Sequence, residues 1–186
     1  MPDIDIDFAD RSVILDKLEH RIAKLNSGKK HNTGVYFTEI PSNPVDNMST
    51  VDHKSADDRG YFKLDLLNVS LYKDVKDEDH LNKLVAKEPL WELLDHKDFV
   101  KQLFHVGDHG SILEQMKPRS VEQLAMILAM IRPGKRHLLG KTWTEIGKTI
   151  WLRPESGEYY FKKAHAIAYA VAITVQMNLI CEELND

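Results

Sequence analysis

The chain has 186 residues and a formal net charge of −4, with 42% hydrophobic and 29% charged residues. That length allows one domain or two small ones around a buried core, and the composition excludes a disordered or fibrous class. A single cysteine, Cys181, excludes an internal disulfide framework and a cysteine metal site; with no basic and apolar leader at the start, a cytoplasmic protein is expected.

The opening "PDIDIDF" alternates with period two, as a strand with one polar and one apolar face does. Asp3, Asp5 and Asp7 share one side; Ile4, Ile6 and Phe8 share the other. In "DRSVILDKLEHRIAKLNSG" the residues Ile14, Leu18, Ile22 and Leu25 fall at helical spacing, with Asp10 placed to cap and Gly28 to terminate. A strand followed by an amphipathic helix is predicted. From Lys29 to Gly60 the chain is rich in Asn, Ser, Asp and Pro and reads as loop, interrupted by the short strand candidate "GVYFTEI". "YFKLDLLNVSLY" is a second apolar segment, and it carries one lysine, Lys63, and one aspartate, Asp65.

The second half reads as helical. "EPLWELLDHKDFVKQLFHV" has helical periodicity, and "SILE" (Ser111–Glu114) and "SVEQ" (Ser120–Gln123) match the capping box. These predict one helix ending before Pro118 and another running through "LAMILAMI" to stop at "RPG". The run from Ala164 to Cys181 contains no Lys, Arg, Asp or Glu and is about as long as a membrane span. His165, Gln176 and Asn178 are costly in lipid and alanine gains little there, so a buried helix is expected and no membrane partner. Between Arg132 and Lys163 eight Lys and Arg face three Glu, a local +5 that leaves −9 on the rest of the chain. A basic segment therefore accompanies an acidic body, and the overall charge argues against a protein that simply coats nucleic acid.

Carboxylates repeated along one strand face repel unless a cation neutralises them. Magnesium takes hard oxygen ligands, commonly carboxylates plus substrate phosphates, and two such ions about 3.5 to 4 Å apart stabilise both oxygens of a phosphoryl transfer. A strand offering Asp5 and Asp7 beside one offering Asp65 would supply that donor set. The same spacing suits equally the solvated face of an edge strand, whose charges deter aggregation, and Asp65 alone reads more readily as a structural or surface residue than as a ligand. An EF-hand loop is excluded, because Phe8 stands where its glycine is required and Ile14 where its last glutamate is.

"PDIDIDF" resembles the aspartate motif of family C bacterial replicative DNA polymerases, the alpha subunit of polymerase III, which reads Pro-Asp-Phe-Asp-Val-Asp-Phe in many members. Further similarities follow in the family's order: "KHNTGVYF" from Lys30, "FKLDLLNVSL" from Phe62, the stretch from Leu103 to Gly134 ending "RPG", and "YYFKKAHAIAYAVAITVQM" from Tyr159. The resemblance implies an α+β fold, with a nucleotidyltransferase-type palm on a small mixed sheet over residues 1–75 and a mainly helical fingers-like region over 76–186. It implies that Asp5, Asp7 and Asp65 are catalytic and bind two Mg²⁺, and that Lys63, Arg132, Lys162, Lys163 and His165 contact the nucleotide. Asp3 matches an aspartate outside that set, and His31 reads as a packed or hydrogen-bonding histidine.

The expected activity is transfer of a nucleotide from dNTP to a primer 3′-hydroxyl, with primer-template DNA as partner. The family's Gly-Ser phosphate motif with its extra palm strand, most of the fingers between Arg-Pro-Gly and the last helix, and its thumb and accessory domains have no counterpart here. Two other readings stay open on that account: one piece of a divided polymerase completed by a second fragment or replisome protein, and a non-catalytic relative that binds nucleotide, DNA or a replication protein.

Overall fold

The computed structural model describes residues 4–155 and 158–184. The chain is α+β and divides into two compact units, Met1–Lys73 and Asp74–Asp186.

The first unit is built on a five-stranded mixed sheet. Its strands are β1 (Ile4–Phe8), β2 (Arg21–Lys24), β3 (Lys30–Tyr36), β4 (Met48–Asp52) and β5 (Leu64–Asn68), in the spatial order β1-β5-β3-β2-β4. β1 lies parallel to β5 and β4 parallel to β2, whereas β3 runs antiparallel to both β2 and β5. A single turn of helix, α1 (Ser12–Leu15), follows β1, and α2 (His53–Asp58) follows β4. Asp52 caps α2, its carboxylate accepting from the amides of Lys54 and Ser55. Ala23, Tyr36, Ile40 and Ala56 form the core of this unit.

The helix expected over residues 10–28 is not formed as one element. Its first turn becomes α1, and Arg21–Lys24 become β2, an inner strand between β3 and β4. Hydrogen bonding to two neighbouring strands outweighs the helical spacing of the apolar residues. Asp10 does hold the start of α1, accepting from the Ser12 amide at 3.0 Å. Gly28 ends no helix; at φ +82° it closes the β2–β3 hairpin, its amide donating to the Leu25 carbonyl at 2.8 Å. The expected loop from Lys29 to Gly60 contains β3, β4 and α2, and β3 starts four residues before the strand candidate at Gly34.

The second unit is helical: α3 (Glu78–Ala86), α4 (Lys97–Val100), α5 (Gly110–Met116), α6 (Val121–Met130), α7 (Trp143–Thr149) and α8 (Lys163–Glu183), with 3-10 turns at Trp91–Asp95, Gly107–His109 and Pro133–Leu138. α6 is buried on every side from Leu124 to Met130 and packs against α8, which also receives α3. Ser120 caps α6 through the Gln123 amide, as its motif predicts. Ser111 does not cap: it lies inside α5, whose cap position is His109, with no side-chain hydrogen bond. Thr142 and Glu145 form a full capping box on α7. The predicted helical run from Glu88 to Val106 is broken into 3-10 and α turns, with His105 at φ +60°.

Among the described residues α8 is long and apolar enough to cross a membrane, and 56% of its apolar stretch is buried within the protein. Asn178, on that buried stretch, donates to the Leu84 and Lys87 carbonyls at 2.9 Å each and so completes the C-terminal end of α3.

Candidate functional site

The parallel pairing of β1 with β5 sets Asp5 opposite Asp65 and Asp7 opposite Leu67. Since cross-strand partners and residues two apart share a face, Asp5, Asp7 and Asp65 rise from one side of the sheet. Ile4 and Ile6, on the other side of β1, are 40% and 37% exposed. Asp5 and Asp7 are exposed, whereas Asp65, on an inner strand, is buried to 8% exposure. Asp3 lies outside the described residues.

Asp65 has its partners on the β3 side. Thr33 Oγ1 donates to its Oδ1 at 2.8 Å, and Lys63 Nζ donates to its Oδ2. The Lys63 stem reaches the carboxylate by crossing Gly34, which faces Asp65 in the β3–β5 register. A Cβ at Gly34 would lie 2.9 Å from Lys63 Cδ and 3.0 Å from His31 Nδ1. Burial pushes the Asp65 carboxyl up, but the hydrogen bonds from Lys63 and Thr33 and the charge of Lys63 outweigh it and hold the group below the usual carboxylate range. His31 Nδ1 is 3.7 Å from Asp65 Oδ1 yet accepts from the Gly34 amide at 2.9 Å.

Two further residues join this face. Arg11 ties the end of β1 to β5, donating from its side chain to the Leu66 carbonyl at 3.0 Å and from its amide to Asn68 Oδ1 at 2.8 Å. Burial and then the charge of Asp7 raise the Tyr72 hydroxyl above its ordinary pKa. Sequence reading leaves Thr33 and Tyr72 unmarked, because their relevance follows from strand register and not from any local motif, and its reading of His31 as a packed or hydrogen-bonding histidine agrees with the bond from Gly34.

Magnesium fits this donor set in chemical type and strand register. The described side chains are not assembled for it, however: among the described residues no group of three or more His, Cys, Asp or Glu is close enough to hold a metal ion. The second oxygen of Asp65 already has the Lys63 ammonium against it.

The other expected nucleotide contacts belong to the helical unit. The Arg132 guanidinium lies over the Phe161 ring at 5.1 Å, and the His165 ring lies 6.2 Å from the same ring, so a buried phenylalanine carries both. Arg132 Nε is buried with no hydrogen-bond partner among the described residues. At the end of α6, Arg136 Nε donates to the Ile131 carbonyl at 3.3 Å. Lys162 is the cap residue of α8 and gives no side-chain cap, and Lys163 lies over Trp151 at 6.0 Å; both lysines are exposed.

Against protein-family models, curated proteins and solved structures, the chain finds no match.

Proposed function

We propose that the protein is a reduced, polymerase-derived nucleotidyltransferase, with Asp5, Asp7 and Asp65 as its metal-binding carboxylates on a palm-like sheet. The observation that carries this reading is the parallel β1–β5 register, which sets Asp5 beside Asp65 with Asp7 on the same face. Asp5 and Asp7 are exposed, and carboxylates are the ligand type that hydrated Mg²⁺ takes. Asp65 joins them once Lys63 moves from its carboxylate to the more highly charged phosphate of an incoming dNTP. Bound Mg²⁺ supplies charge stabilisation for the attacking and leaving oxygens of phosphoryl transfer. Thr33 keeps Asp65 oriented throughout, and its hydrogen bond favours the ionised carboxylate that cation binding requires. Arg132, Lys162, Lys163 and His165, all on the helical unit, are the residues that the family resemblance implies for nucleotide contact. Strand β1 is an edge of the described sheet and carries exposed Ile4 and Ile6, which suits completion of the palm by a strand from a second polymerase fragment.

Primer extension tests this directly. The full chain, alone and with replication proteins from its source, extends a primer with dNTP and Mg²⁺, and Asp5→Ala abolishes the extension. Absence of extension from the wild-type chain under all of these conditions rejects the enzyme.

One observation favours a second, non-catalytic reading. Asp65 is fully engaged by Lys63 and Thr33, the arrangement of a carboxylate kept for structure. A chain of that kind binds nucleotide or DNA without turnover, and Asp65→Asn then leaves binding intact.

A further inference from the structure

A polar cleft of about 330 Å³ opens at the opposite end of the sheet from β1, where β2 and the edge strand β4 meet α2. Its volume falls in the range of small-molecule sites. It is lined by Lys24, Thr50, Asp52, Ser55, Arg59 and the hairpin turn at Gly28. Lys24 and Asp52 are register partners across the parallel β2–β4 pair, so their side chains leave the same face.

The donors and acceptors in this cleft are unevenly committed. Asp52 Oδ1 accepts from the Lys54 and Ser55 amides, each at 3.1 Å, and Oδ2 accepts from the Ser55 hydroxyl at 2.7 Å. The one acid and the start of α2 thus satisfy each other. The Thr50 hydroxyl donates to the Pro41 carbonyl at 3.1 Å. Lys24 Nζ donates once, to the Thr50 carbonyl, and an ammonium has two more hydrogens to give. The Arg59 guanidinium has no side-chain partner among the described residues, which leaves its five N–H donors available. What remains uncommitted is cationic and donor-rich, in a cavity with little apolar lining.

We propose that this cleft binds a small phosphorylated ligand, with its phosphate oxygens held by Lys24 and Arg59. A phosphate monoester offers three terminal oxygens, all acceptors, and nearly two negative charges at neutral pH, more than a monocarboxylate brings to the two cations. The planar fork of Arg59 suits two phosphate oxygens at once, and Lys24 adds a point charge. The site is separate from the aspartate face and does not rest on nucleotidyl transfer.

Calorimetric titration of the full chain with ribose 5-phosphate, inorganic phosphate and sulfate in chloride buffer is the test. Saturable binding of the phosphate probes is expected, weaker by about tenfold in Arg59→Gln and in Lys24→Gln and unchanged in Lys148→Gln, an exposed lysine of the helical unit. Tighter binding of ribose 5-phosphate identifies an ester as the ligand, and equal binding identifies free phosphate; both support the site. Because Arg59 is exposed, its variant carries the test even where Lys24→Gln fails to fold. Sulfate, likewise a dianion of acceptor oxygens, is expected to bind comparably and to weaken in the same variants; no saturable phosphate binding at millimolar concentration, or wild-type affinity in Arg59→Gln, overturns the site.

Discussion

Asp5 and Asp65 stand directly opposite one another on neighbouring parallel strands, and Asp65 holds the Lys63 ammonium. Adjacent strands are about 4.8 Å apart, so two ionised carboxylates in that relation repel. Lys63 relieves the repulsion from the Asp65 side, and Asp5 is exposed. The same lysine therefore stabilises the sheet and opposes occupation of the face by a divalent cation.

Replacing Asp65 by Asn exposes the first of these roles. Thr33 keeps its acceptor, but the Lys63 ammonium loses its counter-ion in a half-buried position, at a cost of about 1 to 3 kcal/mol. Because the folded carboxyl titrates below the ordinary aspartate value of 3.8, its contribution is complete above that value and is lost as pH falls through the folded pKa. Urea unfolding at pH 7 accordingly separates wild type from Asp65→Asn, and the gap narrows below pH 3.8. A gap independent of pH refutes the ion pair.

Gly34 is predicted to be needed for space and not for an unusual turn, since it lies within β3. A methyl there meets Lys63 Cδ first, at 2.9 Å, and the flexible lysine has to give way. Gly34→Ala costs about 1 to 3 kcal/mol by overpacking. In a Lys63→Ala background the cost falls by at least about 0.5 kcal/mol, the coupling expected of residues in contact. Additive effects in a double-mutant cycle by chemical denaturation would show that the two side chains do not share this space.

The elements legible in the sequence are those whose own pattern agrees with their tertiary setting. The aspartate strand, the Asp65 strand, the Ser120-capped helix and the long alanine-rich helix all have such patterns. Ile14, Leu18, Ile22 and Leu25 mislead because a helical repeat and a strand pressed between two others both demand apolar side chains, and only strand pairing decides between them. The contribution of Thr33 is invisible for the same reason: 32 residues separate it from Asp65, and they meet through the antiparallel β3–β5 register. Ser111 has the capping-box spacing, but its helix begins one residue earlier, at Gly110.

In the helical unit the prediction falls on Asn178, 1% exposed on α8. Its amide satisfies two carbonyls at the end of α3, and Asn178→Ala leaves both without this donor in a buried setting. A loss of about 2 to 4 kcal/mol follows from two unmade hydrogen bonds. It is read as a lower midpoint in chemical denaturation, accompanied by faster amide exchange confined to the last turn of α3. Unchanged exchange at Leu84 and Lys87 would mean that these bonds do not hold the helix end.

The opposition between Lys63 and a metal is the sharpest consequence of the aspartate face. If Asp5, Asp7 and Asp65 are cation ligands, the lysine on Asp65 is a resident competitor, and removing its charge strengthens divalent binding. A unit charge near the site contributes more than one kcal/mol at protein-like dielectric, so Lys63→Met is expected to bind Mg²⁺ or Mn²⁺ about tenfold more tightly, measured by calorimetry and by Mn²⁺-induced water relaxation. Adding Asp5→Ala to that variant reverses the gain, because the cation then loses the ligand opposite Asp65. Nucleotide affinity moves the other way, falling in Lys63→Met as the charge meant for phosphate is lost. Unchanged cation binding in both variants would leave Lys63 and Asp65 as a structural pair and remove the chemical basis of the nucleotidyltransferase assignment.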